Sequence, residues 1–202
     1  MRLSTCLHQY FYEYLPRIKG ISEHSIKAYR QTFSLFMHFL ADYHSIKIKS
    51  LRIEHLTVDA ILAFLYYLEK DRKNSVQTRN HRLAVIKSLA KMIRFMHPDK
   101  KPIAEALLAI PQKRAQKKVM GFLYPEEIMK VFSAVDLKKR EGMRDFTILH
   151  LLYDSGARAS EIATLELDYF NPGNETIVVL GKGNWYRLIN LCPRTASLIS
   201  DY

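Results

Sequence analysis

Apolar side chains recur at steps of three and four through the first hundred residues, and this spacing predicts a series of amphipathic helices. Ile26, Tyr29, Phe33, Met37, Leu40 and Tyr43 form one stripe over residues 22–43, with Ser22 as an N-cap and Glu23 suited to the positive end of the helix dipole. Upstream, Leu3 to Leu15 reads as a shorter helix ended by Pro16 and Gly20. Downstream, Thr57 to Glu69 sets Ile61, Phe64, Leu65 and Leu68 on one side, capped by Thr57. Val76 to Met96 gives a fourth helix, in which Val85, Ile86, Leu89, Met92, Ile93 and Met96 lie within an arc of about 120°. A short helical stretch follows from Ile103 to Leu108.

The pattern then changes. Residues 110–121 contain Pro111, Gly121 and four cations, and read as a basic linker. Past it, Tyr124-Pro125-Glu126-Glu127 places proline and acids where a first helical turn favours them. Arg144 to Tyr153 and Ala159 to Leu165 read as further helices, and Asn171-Pro-Gly-Asn174 as a turn. Thr176 to Leu180 is a β-branched strand, whose hairpin partner is Tyr186 to Leu191 across Gly181-Lys-Gly-Asn; a last helix starts near Thr195. The expected architecture is mainly α: a helical domain over 1–110, a linker over 111–121, and a mixed α/β domain with one small β-hairpin over 122–202.

Charge sharpens this division. The chain carries a net +11, but residues 1–120 hold 22 Lys/Arg against 9 Asp/Glu, whereas residues 121–202 hold 9 against 11. A field so one-sided suits a polyanion, because each neutralised phosphate releases counterions; the plainer alternative is that solvated cations keep the protein soluble. Arg79, Lys87, Lys91 and Arg94 share the flank of the fourth helix opposite its apolar arc, with no carboxylate interleaved, and are the first candidates for contact with double-stranded DNA. Lys113, Arg114, Lys117 and Lys118 of the linker are the second group.

Other classes are disfavoured. No stretch approaches the roughly 20 apolar residues of a membrane span, and the first residues lack the apolar core of a secretory signal, so a cytoplasmic location is expected. Cys6 and Cys192 are far apart and read as small buried or half-buried side chains, and the eight histidines show no metal-ligand spacing. No metal and no cofactor is expected.

Candidate chemistry lies in the second half. Arg158 follows Ser155-Gly156 at a tight turn into a helix, where a guanidinium could grip a phosphodiester with two parallel hydrogen bonds and backbone amides could add donors. Glu161, one turn on, could orient that arginine or the helix. Lys182, between two glycines at the hairpin tip, could deliver a proton to a leaving oxygen. Singly, each has an ordinary explanation: a surface Arg–Glu helix pair, or a polar turn.

Together, Ser155-Gly-x-Arg158-x-x-Glu161, the 24-position interval to Gly181-Lys182-Gly183, and Arg187-x-x-x-Leu191 after it resemble the opening half of a tyrosine recombinase (phage integrase family) active site. Ser25 to Leu40 and Thr78 to Phe95 are similar to helices of that family's core-binding domain. The resemblance implies a SAM-like helical DNA-binding domain and a catalytic domain that cleaves DNA without a cofactor through a 3′-phosphotyrosine. It implies Arg158 as the first catalytic arginine, Glu161 as its supporting acid, and Lys182 as the lysine assisting departure of the 5′-hydroxyl. Trp185 stands where many relatives have a second basic residue, and Ile189-Asn190-Leu191 replaces Val-Pro-Leu. The family's His-x-x-Arg box, further His or Trp, and nucleophilic tyrosine do not follow Lys182: the last histidine is His150, and Tyr186 and Tyr202 read as a hairpin residue and a helix residue. The expectation is a DNA-binding N-terminal portion of a recombinase, truncated in its catalytic domain and not competent alone, whose partners are double-stranded DNA and an intact recombinase or a chain supplying the remainder. The alternative is a noncatalytic DNA-binding regulator of recombination sites.

Overall fold

The computed structural model describes residues 1–116, 121–181 and 183–202. The chain divides into two compact units, Met1–Lys118 and Val119–Tyr202.

The first unit is mainly helical among its described residues, with one isolated antiparallel bridge between Arg2 and Arg52. Helix α1 (Leu3–Gln9) continues without a break as a π-helical segment, Tyr10–Ile18, so Pro16 lies inside the helix rather than ending it. The wider π winding, seen in Lys19 N donating to Tyr14 O at 2.9 Å, relieves the clash a proline ring makes with the carbonyl four residues back. Helix α2 (Glu23–Tyr43) follows, then α3 (Val58–Lys70), α4 (Val76–Met96) and α5 (Lys101–Ala109). Thr57 Oγ1 accepts from Ala60 N, and Ser75 Oγ accepts from Thr78 N, each at 3.2 Å, satisfying a donor that the first helical turn would leave open.

Aromatic packing dominates the core of this unit. Tyr10 meets Phe33 edge-on at 5.7 Å, and Phe36 meets Phe64 at 4.9 Å. All four residues assigned to the apolar face of α3 are buried, as are Val85, Ile86, Leu89, Met92 and Ile93 of α4. On α2 the buried stripe runs through Thr32, Phe33, Phe36 and Leu40, so Phe36 is central and Tyr43 is exposed. Cys6 is buried, and burial pushes its thiol up to about 12; Cys192, expected to be at least half-buried, is exposed. No helix among the described residues is long and apolar enough to cross a membrane.

The second unit contains α6 (Pro125–Ser133), α7 (Arg140–Ser155), α8 (Ala159–Ala163), strands β1 (Phe170–Asn171), β2 (Thr176–Leu180) and β3 (Tyr186–Asn190), and α9 (Pro193–Asp201). The three strands form one antiparallel sheet in the order β1-β2-β3; the two-residue β1 is an addition to the expected hairpin. Register pairs Ile177 with Ile189 and Val179 with Arg187. Ile177 and Val179 are buried with Leu151, Ala157 and Leu191, whereas Leu180, Tyr186 and Leu188 alternate outward and are exposed. Helix α7 ends at Gly156, whose φ of +58° is the left-handed geometry that turns the chain toward Arg158. Cys192 N donates to Asp154 Oδ2 at 2.8 Å and fixes the start of α9 against the end of α7.

Candidate functional site

The site is centred on Glu161, a carboxylate only 4 % exposed in the first turn of α8. Oε2 accepts from the Arg158 backbone amide at 2.8 Å, and Oε1 accepts from Arg158 Nη1 at 2.7 Å. From β3, Arg187 Nη2 donates to Oε2 at 2.7 Å and its Nη1 to Oε1 at 3.4 Å. Burying a carboxylate is costly unless charges and donors surround it, and here two guanidiniums and an amide do so. Hydrogen bonds from the Arg158 amide and side chain, with the positive charge of Arg187, hold the Glu161 carboxyl below the ordinary carboxylate range against the opposing effect of desolvation.

Arg158 remains largely exposed, with 63 % of its side chain accessible, and its Nε and Nη2 make no hydrogen bond among the described residues. A guanidinium held by one nitrogen and open along another edge can receive two oxygens of a phosphodiester. The Arg158 amide, by contrast, already serves Glu161 and is not available as a further donor. The helix it opens has five residues.

Arg187 was not singled out by sequence as a site residue, yet a signal existed. It pairs with the buried Val179 and shares its face of β3 with Ile189, so the period of two directs it inward. An arginine on a core-facing register requires a buried carboxylate. The hairpin reaches the same point through Gly181: a Cβ there would stand 3.3 Å from Trp185 O and 3.6 Å from Glu161 Oε1. Gly181 N donates to Trp185 O at 2.8 Å, closing the loop that continues through Gly183 and Asn184, both at positive φ. Lys182 lies outside the described residues, next in sequence to this glycine.

The basic residues of the first unit divide differently from the sequence expectation. Lys91 and Arg94 are exposed and line, with Tyr14, Lys19, Phe95 and Lys101, a cavity of about 680 Å³. Arg79 is buried, its Nη1 donating to Asn80 Oδ1 at 2.8 Å. Lys87 is half-buried and donates to Leu108 O at 2.7 Å, closing the C-terminal end of α5. The four-cation stripe therefore reduces to two exposed members, because α5 and the chain after it pass beside the other two. Asn80 also clasps the backbone of Lys113, whose Nζ pairs with Glu69 at 2.8 Å. Arg114 is exposed; Lys117 and Lys118 lie outside the described residues. Among the described residues no three His, Cys, Asp or Glu side chains converge as a metal site.

Comparison with known proteins bears on the family and the fold. The family described as phage integrase, N-terminal SAM-like domain, matches residues 9–94. Over 192 residues the chain is 32% identical to y4rD, a candidate integrase/recombinase of Sinorhizobium fredii, covering 93% of this chain and 67% of that one. It is 29% identical to the tyrosine recombinase XerC of Anoxybacillus flavithermus, covering 89% of this chain and 57% of the relative. Among solved structures, the XerH site-specific recombinase bound to a palindromic difH substrate matches with a TM-score of 0.65 at 18% identity, covering 91% of this chain and 53% of that one. The Tn1549 transposon integrase in complex with a circular intermediate DNA matches at 0.64 and 14%, covering 97% and 63%. The helical unit and the mixed unit with its small sheet share the fold of these recombinases, and the chain belongs to the tyrosine recombinase (phage integrase) family. It spans between 57% and 67% of the length of the two curated relatives named.

Proposed function

We propose that this chain binds double-stranded DNA and presents Arg158, together with Lys182 24 positions further along the chain, to a phosphodiester, as the N-terminal portion of a site-specific recombinase acting in DNA integration and recombination. The observation that carries the reading is the Glu161 carboxylate, which fixes Arg158 through two hydrogen bonds while leaving a guanidinium edge exposed. That arrangement is suited to charge developing on phosphorus, since a preorganised cation needs no rearrangement at the moment of reaction. The excess of cations in residues 1–120, with Lys91 and Arg94 exposed beside Tyr14 and Phe95, supports the first unit as the main DNA-holding surface.

In this reading the 202 residues supply binding and the arginine part of the site. The family's cleavage chemistry also requires a His-x-x-Arg pair and a nucleophilic tyrosine, which these residues do not provide after Lys182. The test is incubation of the purified chain with duplex, single-stranded DNA and RNA of one sequence, followed by denaturing electrophoresis of a nicked duplex. Preference for duplex with no covalent adduct is expected. Covalent attachment would overturn the assignment of cleavage chemistry to residues outside these 202, and equal affinity for RNA would overturn the DNA assignment.

A further inference from the structure

Arg187 has no place in the mechanism above, although it makes a two-nitrogen ion pair with the buried Glu161. Its Nη1 and Nη2 both face Glu161, at 3.4 and 2.7 Å, so its charge is directed at the carboxylate rather than outward. Arg158 gives Glu161 only Nη1. The group of three therefore carries two positive charges and one negative, with the surplus on the more exposed arginine: 63 % of the Arg158 side chain is accessible, against 41 % for Arg187.

We propose that Arg187 is a positioning residue that neutralises Glu161, so that Arg158 keeps its net positive charge and its open edge for a DNA phosphate. This rests on the reading of Arg158 as a phosphodiester ligand. Without Arg187, the carboxylate would have Arg158 as its one ionic partner among the described residues. The guanidinium would then be drawn into a closed pair with a net charge of zero, which attracts a phosphate weakly. Glu161 cannot be dispensed with as a scaffold, since it also holds the Arg158 amide; Arg187 is what allows a carboxylate to sit beside a phosphate-binding cation.

The distance along the chain gives the arrangement a second consequence. Arg187 lies 26 positions from Glu161, on the strand that returns from the hairpin tip, and Gly181 abuts Glu161 Oε1 from the strand that leads to it. The two limbs of the hairpin therefore close on the same carboxylate, and the charge balance of the site and the seating of the hairpin base depend on one side chain.

The test is a charge cycle read by fluorescence anisotropy, using the full chain and a labelled mixed-sequence duplex of about 30 base pairs over a salt series. Arg158→Gln should weaken binding about three- to tenfold, as expected for one charged phosphate contact. If it does not, the reading of Arg158 as a phosphate ligand fails, whatever Arg187 does. Given that loss, Arg187→Gln should weaken binding by a similar factor and lower the salt slope by about one, although it touches no phosphate. Glu161→Gln combined with Arg187→Gln should bind about two- to threefold more tightly than Arg187→Gln alone, because the surplus charge on Arg158 is restored while an amide oxygen can still accept from the Arg158 N–H. Arg187→Lys, which keeps the charge and loses the two-pronged geometry, should retain affinity while lowering the melting temperature, and Arg187→Met, which also removes the charge, stands in for Arg187→Gln should that variant fail to fold. A double variant as weak as Arg187→Gln, or loss of affinity in a folded Arg187→Lys, would overturn the proposal and leave Arg187 as a purely structural anchor of the hairpin.

Discussion

Glu161 of α8 and Arg187 of β3 meet at 2.7 Å, and this contact joins the short helix that Arg158 opens to the strand that returns from the Gly181 loop. The strand register that pairs Val179 with Arg187 places it. Gly181 completes the junction, because its missing side chain lets the loop backbone lie against the Glu161 carboxylate.

Substitution of Gly181 by alanine is the smallest perturbation of that junction. The added methyl would press on Trp185 O, the acceptor of the hydrogen bond that closes the loop, and on Glu161. A loss of about 1 kcal/mol is expected, in line with modest overpacking. Denaturant unfolding followed by the fluorescence of Trp185, the chain's single tryptophan, measures it.

A pH dependence follows from His150. Its ring stacks on Phe132 at 4.2 Å and lies 4.5 Å from Phe146, and its Nε2 has no hydrogen-bond partner among the described residues. Burial pushes its pKa below the ordinary histidine value, the charge of Arg194 adds to this, and Asp154 opposes it. The unfolded chain therefore binds this proton more readily than the folded one. Stability should fall as pH drops below about 6.5, the unfolded value, and level off beneath the lowered folded value. His150→Phe should remove that component, which is read as the difference in melting temperature between variant and native chain across pH 5 to 7.5.

Lys87 separates stability from binding. Because its Nζ donates to Leu108 O at the end of α5, Lys87→Met should lower stability by about 1 kcal/mol while leaving the salt dependence of DNA binding unchanged. Thermal melting and anisotropy on the same preparation check both halves. A reduced salt slope in this variant would show that Lys87 reaches phosphate after all.

Removal of a core aromatic should be far more severe. Phe64 is fully buried and contacts Phe36 at 4.9 Å and Phe39 at 5.3 Å, so Phe64→Ala is expected to cost about 3–5 kcal/mol. Urea titration of the chain by circular dichroism would register this as a lower midpoint for the helical transition.

The helical architecture was legible in sequence wherever local and tertiary preferences coincide. Thr57 with its four apolar partners, the span Val76–Met96, and the pairing of Thr176–Leu180 with the strand after the glycines all follow from period and capping. Pro16 misled because a proline ends an α-helix, whereas a π winding accommodates it. Arg79 and Lys87 misled because a helical wheel gives direction but not what passes over it; α5 and the clasped backbone of Lys113 decide which cations stay exposed. Of the candidate site, Arg158 and Glu161 were visible as a spaced pair, since three positions on a helix start are neighbours. Arg187 was signalled by the period of two along β3, which turns it toward the core, whereas its partner on α8 depends on packing that the local pattern does not contain.

The most direct test of the account is the salt dependence of duplex binding for the native chain and for Lys91→Gln combined with Arg94→Gln. Both side chains are exposed on α4 and line one cavity with Tyr14 and Phe95. If they contact phosphates, the slope of log affinity against log salt should become shallower by about two units, with weaker binding at low salt and an unchanged melting temperature. An unchanged slope in a folded double variant would contradict the assignment of this face of the first unit to DNA.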